Sequence, residues 1–437
     1  MFAIVSVDSL RNIPIGAQYG FSLITFYLFA GLCFFLPLTW ITSQLAVRFP
    51  NVGGSYLWIE AAFGKSFGRL SLWLQWTYNI IWYPTIFAFI SSTLLSLIRP
   101  DFENNKYVIL FICVSLFWLI TFIHAYGIKA SSWISTVSAI LGTLLPMSVM
   151  IGFAAYWLLS GLPSTTPLGI RDLLPQTTDL HNIAYFSNIL FSLMGLEVIA
   201  MHAGNVSQPQ KTYPRALLIA SLTILATLTL SSLALCIVIS PQHIRLLNGI
   251  MDVFTLFFDH YQIPYGAQLM GWCVVIGAFG IASSWMIGLA RGLHIALTST
   301  DAPQLLQKLN KKGAPLNILC FQGIIYTLLL SAFLLLPSIS SSYWFLSVLS
   351  AQFALLYYIL LFSAAIKLFF SVKQTRAHAF LGATLPFIAG CVSLIGIVVG
   401  FVPPSNIGLT HLLGYELFLI GCLFLFCLPP FFLLRKK

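Results

Sequence analysis

Glu197 stands inside a long apolar segment, LFSLMGLEVIAMHAGNVSQPQKTYPRAL, which runs from Leu190 to Leu217. A carboxylate in sequence of membrane length is costly to bury and marks a ligand or proton site by default. It could bind a proton or pair with a cationic ligand. Helix-loosening residues surround it: Gly195 and Gly204 bracket the acid, and Pro209 and Pro214 close the segment. A second charged pair, Asp8 and Arg11, lies near the chain start in MFAIVSVDSLRNIP. Asp8 reads either as a ligand for an ammonium or as an internal partner of Arg11, one helical turn further on. Centring either charge in a membrane helix costs about 2.5–3.5 kcal/mol on insertion scales. This helix is therefore expected to be broken around Ser6–Ser9, or else not to insert.

The elements that would position these residues follow from composition. Of 437 residues, 59% are hydrophobic and 7% are charged, against about 25% charged in ordinary soluble domains. Mean hydropathy is +0.93. No water-soluble fold hides that much apolar surface, so the solvent is lipid. The net charge of +10 is no nucleic-acid footprint. Arg48, Lys65, Arg69, Lys129, Lys211, Arg215 and the basic residues of 308–312 alternate with the spans so as to fall on one side. An excess of Lys and Arg marks the cytoplasmic face, which puts both termini in the cytoplasm and makes the span count even.

Eleven clear apolar spans follow a broken first one, at approximately 1–14, 20–47, 67–98, 107–126, 130–159, 181–203, 214–240, 264–298, 315–336, 342–370, 379–401 and 410–434. Each is near or above the roughly 20 residues a crossing needs. The loop from Ser240 to Ile263 contains NGIMDVFTLFFDHY, whose apolar residues recur at helical spacing, so a short surface helix is expected there. The loop from Ser160 to Leu180, with Pro163, Pro167 and Pro175, should be irregular. The few apolar residues before Asp8 suggest a natural start further upstream or a truncated gene.

The eight cysteines all fall in spans without a C-x-x-C pair, so neither metal nor disulfide is expected. The Gly53–Gly54 pair lacks the Lys-Ser/Thr of a phosphate loop. No catalytic constellation of an enzyme stands out, and no cofactor is implied. What does stand out is two spans, the first and the sixth, each interrupted near mid-membrane. Backbone leaves the helix inside a bilayer only where it lines a protein-buried or watery cavity. Paired broken helices five spans apart point to a transporter of two inverted repeats. Half-helix ends offer N–H groups to a carboxylate and C=O groups to an ammonium, which suits a zwitterionic amino acid.

Three blocks carry a resemblance to a known family: FPNVGGSYLWIEAAFGKSFG (Phe49 to Gly68), the LMGLEV stretch followed by QPQKTYPRA, and IASSWMIGLARGLHIAL followed by LLQKLNKKGAPLN. With them the chain resembles the amino acid–polyamine–organocation (APC) superfamily, closest in pattern to the bacterial glutamate/GABA and arginine/agmatine exchangers. The similarity extends from about residue 2 to the C-terminus. It implies an all-α membrane protein with twelve transmembrane helices, a LeuT-like 5+5 inverted repeat and broken helices 1 and 6. The transport core would be 1–370, its repeats about 1–159 and 181–370, with two additional helices in 371–437.

The resemblance also implies site residues. Val7, Asp8 and Ser9 match the small break of the first helix that holds the substrate backbone. Phe191 and Ser192 match the aromatic and small residues at the break of the sixth. Glu197 matches the acid assigned to substrate or proton linkage, and Trp285 an aromatic that packs on the substrate. Trp82 and Tyr83 are nearby candidates. Asp8 departs from the glycine or serine usual at its position. No charge lies between Lys129 and Arg171, which favours exchange over lysine-mediated proton symport. Only Arg435–Lys437 follow the last span, so the C-terminal plug of the glutamate/GABA exchangers is not expected.

The reading that results is a secondary active amino acid transporter of the inner membrane. It would be an antiporter exchanging an amino acid for another, or for its decarboxylated amine, by alternating access, with protons as a possible coupled ion. The alternatives are a cationic amine or polyamine carrier, motivated by Asp8, and a non-transporting nutrient sensor or decayed copy, motivated by the short first span.

Overall fold

The computed structural model describes residues 10–49, 54–126, 137–138, 140–175, 180–198, 209–298, 303–371, 376–404 and 412–430. Among them every regular element is helical, and there is no strand. Lipid dictates this: with no water to satisfy the main chain, a spanning segment must bond to itself. Val7, Asp8, Ser9 and the expected break at Ser6–Ser9 lie outside the described residues, as do parts of the fifth, sixth and twelfth spans.

The elements in chain order begin with α1 (Ile13–Ala17), preceded by a tight turn over Leu10–Asn12. Then come α2 (Gly20–Arg48), α3 (Tyr56–Phe63), α4 (Lys65–Ile98), α5 (Lys106–Ala125), α6 (Ile140–Leu159) and α7 (Phe186–Ser192). The second half holds α8 (Pro209–Val238), α9 (Gly249–His260), α10 (Gly266–Thr298), α11 (Leu316–Leu329), α12 (Ile339–Phe370), α13 (Arg376–Val399) and α14 (Leu412–Cys427). Nine helices among the described residues are long and apolar enough to cross a membrane; Gly414–Cys427 is a shorter apolar helix, and 183–198 a shorter apolar segment whose helix is interrupted after Ser192. The nine overlap nine of the spans read from hydropathy, and the two shorter segments fall in the sixth and twelfth.

The helix α4 is the central post, packed along α10 and α12. Peripheral helices show a divided surface instead. In α5, Ile109, Cys113, Phe117 and Ile120 are buried, while Phe111, Leu119 and Phe122 face outward. The outward side of such a helix is the lipid face, since apolar residues there cost nothing in hydrocarbon.

Two helices carry π-helical turns, Gly31–Phe35 in α2 and Ile140–Leu144 in α6. The second lies at a backbone-to-backbone crossing: a Cβ on Gly142 would stand 2.1 Å from the Gly277 Cα of α10. Small residues let membrane helices approach this closely.

α1 is wedged between α2 and α8, where a Cβ on Gly16 would meet the Tyr27 hydroxyl at 2.6 Å and Ser232 Oγ at 2.9 Å. Pro14 packs beside Gly249 at the start of α9, the short amphipathic helix expected in the loop from Ser240 to Ile263. Its apolar face, with Val253, Phe254 and Phe257, is buried, and Phe257 stacks on Phe153 of α6 at 5.6 Å. Arg245, just ahead of α9, forms ion pairs with Asp252 and Glu103. The hydrogen bonds it donates to Asp252, then to Glu103, hold its guanidinium charged above the ordinary arginine range despite partial desolvation. At the opposite end Arg48 Nη1 donates to the Leu368 carbonyl at 3.0 Å, a cation on a helix C-terminus.

Candidate functional site

The helix α7 stops after seven residues. Leu193 leaves helical geometry at φ −101°, ψ 6°, and Gly195 adopts φ +109°, a conformation glycine reaches at little cost. A tight turn follows over 196–198. The N–H groups of Leu193 and Met194 turn back to the carbonyls of Leu190 and Phe191, at 3.0 and 3.2 Å. The Gly195 N–H leaves the helical pattern and donates to the Tyr358 hydroxyl of α12 at 2.8 Å. That same hydroxyl donates to Glu197 Oε2. Tyr358 thus pins both the interrupted main chain and the acid to α12. Glu197 is fully buried, and its Oε1 has no hydrogen-bond partner among the described residues.

Across Phe191 lies a cation. Arg11 is 1% exposed, at the inner end of the segment leading into α1. Its Nη1 donates to Thr85 Oγ1 at 3.0 Å, Ser347 Oγ at 3.2 Å and the Tyr343 hydroxyl at 3.3 Å. Tyr343 in turn donates to the Arg11 carbonyl at 3.1 Å. The guanidinium carbon lies 5.6 Å from the Tyr343 ring centroid, 5.8 Å from that of Phe191 and 5.9 Å from that of Trp82. These distances are within reach of a cation–π attraction. Arg11 Nε and Nη2 have no partner among the described residues, and no ion pair there includes Arg11.

Three sequence-derived candidates therefore converge with Arg11 or Tyr358: Phe191, Trp82 and Glu197. Ser192 is buried beside them, but its hydroxyl turns back to the Ile189 carbonyl at 2.7 Å. Tyr83 faces away, toward Phe117 at 5.7 Å. Trp285 is half-buried on α10 and packs against the core; no ring contact among the described residues joins it to Phe191 or Trp82. A chain of aromatic contacts connects the cation to the acid. Phe191 meets Tyr78 at 6.4 Å, Tyr78 meets Tyr357 at 6.3 Å, and Tyr357 meets Tyr358 at 5.2 Å.

Arg11 as a centre, Tyr343 with Ser347, and Tyr358 were not singled out as site residues from the sequence. For Arg11 a signal existed, since any arginine in an apolar span is a functional candidate. For the tyrosines of α12 there was none, because they reach the site only through packing across more than 160 residues of chain. Asn188, one turn before Phe191, is also buried, and neither of its amide atoms has a partner among the described residues. Buried polar atoms are normally satisfied.

Residues 2–424 match the sequence profile of the amino acid permease family. The chain belongs to that family, within the APC superfamily. It is 41% identical to an uncharacterised transporter of Legionella pneumophila, over all of this chain and 95% of the relative. It is 23% identical to a glutamate/gamma-aminobutyrate antiporter of Lactococcus lactis, covering 97% and 87% of the two chains. A probable agmatine/putrescine antiporter of the same species is 27% identical over 77% of this chain and 71% of its own. Among solved structures, MhsT in complex with L-phenylalanine superposes with a TM-score of 0.60 at 16% identity, covering 91% of this chain and 97% of that one. That likeness speaks to the fold. The permease is a multi-pass membrane protein.

Proposed function

We propose that this permease is an antiporter of the inner membrane, exchanging an amino acid for another amino acid or for its decarboxylated amine by alternating access. Twelve spans, both termini in the cytoplasm, form a core of two inverted five-helix repeats (about 1–159 and 181–370) with two helices appended in 371–437. The observation that carries the reading is the break after Ser192, whose turn shares one hydroxyl, that of Tyr358, with a buried acid. A continuous helix would need no such support. The substrate's charged ends would meet the interrupted first and sixth helices, with Val7, Asp8 and Ser9 contributing from the first and Phe191 and Ser192 from the sixth. Phe191 and Trp285 would close over it. Helix ends oriented in advance need little reorganisation, so rocking one repeat against the other switches access.

The test is counter-flow in proteoliposomes: protein loaded with an unlabelled amino acid should accumulate the labelled one. Glu197→Ala should abolish or strongly alter exchange while the purified protein remains monodisperse. Unchanged exchange in that variant removes Glu197 from the site, and no counter-flow with any amino acid or amine from correctly folded protein overturns the reading.

A further inference from the structure

We infer that Arg11 is a carboxylate subsite and that the preferred substrate is a net-anionic amino acid, one carrying a second carboxylate; this rests on the exchange reading above. The argument starts from which edge of the guanidinium is free. Its Nη1 is committed to three neutral hydroxyls, of Thr85, Tyr343 and Ser347. The two unpaired nitrogens, Nε and Nη2, form together the edge that presents two parallel N–H donors. That edge matches the spacing of two carboxylate oxygens, and such bidentate pairs are the strongest and most directional hydrogen bonds available to a side chain.

Among the described residues, the surroundings supply no counter-charge of their own. The groups in contact with Arg11 are hydroxyls and the rings of Trp82, Phe191 and Tyr343, and no ion pair among the described residues includes it. A buried charge with one edge unpaired is strongly unfavourable unless something completes it. The position argues for a transported guest: the cation lies against Phe191, the aromatic at the end of α7, and against Trp82 in the central post. A polyamine, all cation, would be repelled there. A zwitterion would bring one carboxylate that the helix ends also compete for. An acidic amino acid brings one for each.

The experiment ranks competitors in counter-flow of whichever labelled amino acid the wild-type protein exchanges: glutamate and aspartate (two carboxylates), γ-aminobutyrate (one) and putrescine (none). The expected order is acidic amino acid first, γ-aminobutyrate second and putrescine last. Arg11→Gln should weaken glutamate about 30-fold or more, the scale for losing one partner of a buried charge pair, and so compress the ranking. Arg11→Lys should retain part of the preference. Glutamate-dependent thermal stabilisation of the detergent-purified protein gives a second, transport-free readout on the wild type, should Arg11→Gln not fold. Putrescine competing as well as glutamate overturns the inference while leaving the exchanger intact. So does an unchanged ranking in Arg11→Gln, the result expected if Asp8, not the substrate, held that edge. Absence of exchange with every amino acid and amine overturns the exchanger reading itself.

Discussion

Tyr358→Phe removes one oxygen and should disable the break in α7. In the wild type that oxygen accepts the Gly195 N–H at 2.8 Å and donates to Glu197 Oε2. Both groups are buried, and the hydroxyl is the one side-chain partner they share among the described residues. A neutral hydrogen bond contributes about 1 kcal/mol and one to a charged group about 2 kcal/mol, giving roughly 3 kcal/mol in all. The adjacent Tyr357 is the natural control. Among the described residues its hydroxyl pairs with Ser55 Oγ alone, at 2.6 Å, so Tyr357→Phe should cost about 1 kcal/mol. Both tyrosines are buried and lose the same atom, which cancels the effect of apolar volume. The assay is thermal unfolding of the purified proteins alongside the initial rate of counter-flow. Tyr358→Phe should lower stability about three times as much as Tyr357→Phe. If half of the larger loss falls on the transport cycle, exchange slows about tenfold. Equal stability losses, with wild-type exchange in Tyr358→Phe, would refute the role of this hydroxyl as the anchor of the break.

Two further predictions concern the scaffold. Gly142→Ala would place a Cβ 2.1 Å from the Gly277 Cα, where only backbone can yield, so α6 and α10 must part at an overpacking cost of about 1–3 kcal/mol. Gly152→Ala on the same helix meets nothing within 4 Å and should be neutral in the same melting assay; equal behaviour of the two would contradict the close crossing. Arg245→Ala removes the ion pairs with Asp252 and Glu103, but the arginine is 44% exposed. The loss should therefore stay below about 1 kcal/mol and shrink as salt is raised; a large, salt-independent loss would mean that this cluster is a buried structural pair.

Much of this architecture is legible in hydropathy alone, because a bilayer imposes length and polarity on each crossing directly. The eleven clear spans, the amphipathic helix before α10 and the loosening around Gly195 all follow from local sequence. Glu197 was conspicuous for the same reason: an acid among apolar residues has no local excuse. The partners were not legible. Tyr358 stands in LLYYILLF, where nothing distinguishes it from Tyr357 until α12 is laid against α7. Trp82 and Tyr83 are neighbours in sequence, yet one borders Arg11 and the other Phe117, since successive residues of a helix point about 100° apart. The π-helical turns of α2 and α6 leave no trace in an unbroken apolar run. The three hydroxyl contacts of Arg11 come from α4 and α12, over distances that no local pattern encodes.

The most direct measurement is hydrogen–deuterium exchange at the amides of Leu193 to Glu197 in the purified permease, with and without a saturating transported amino acid. An interrupted main chain that holds the guest should exchange faster than the amides of α4 when empty and become further protected when it is bound, with half-protection at the concentration that half-saturates exchange. Amides already as slow as those of α4, or unaffected by a substrate that is plainly being transported, would mean that the guest binds elsewhere.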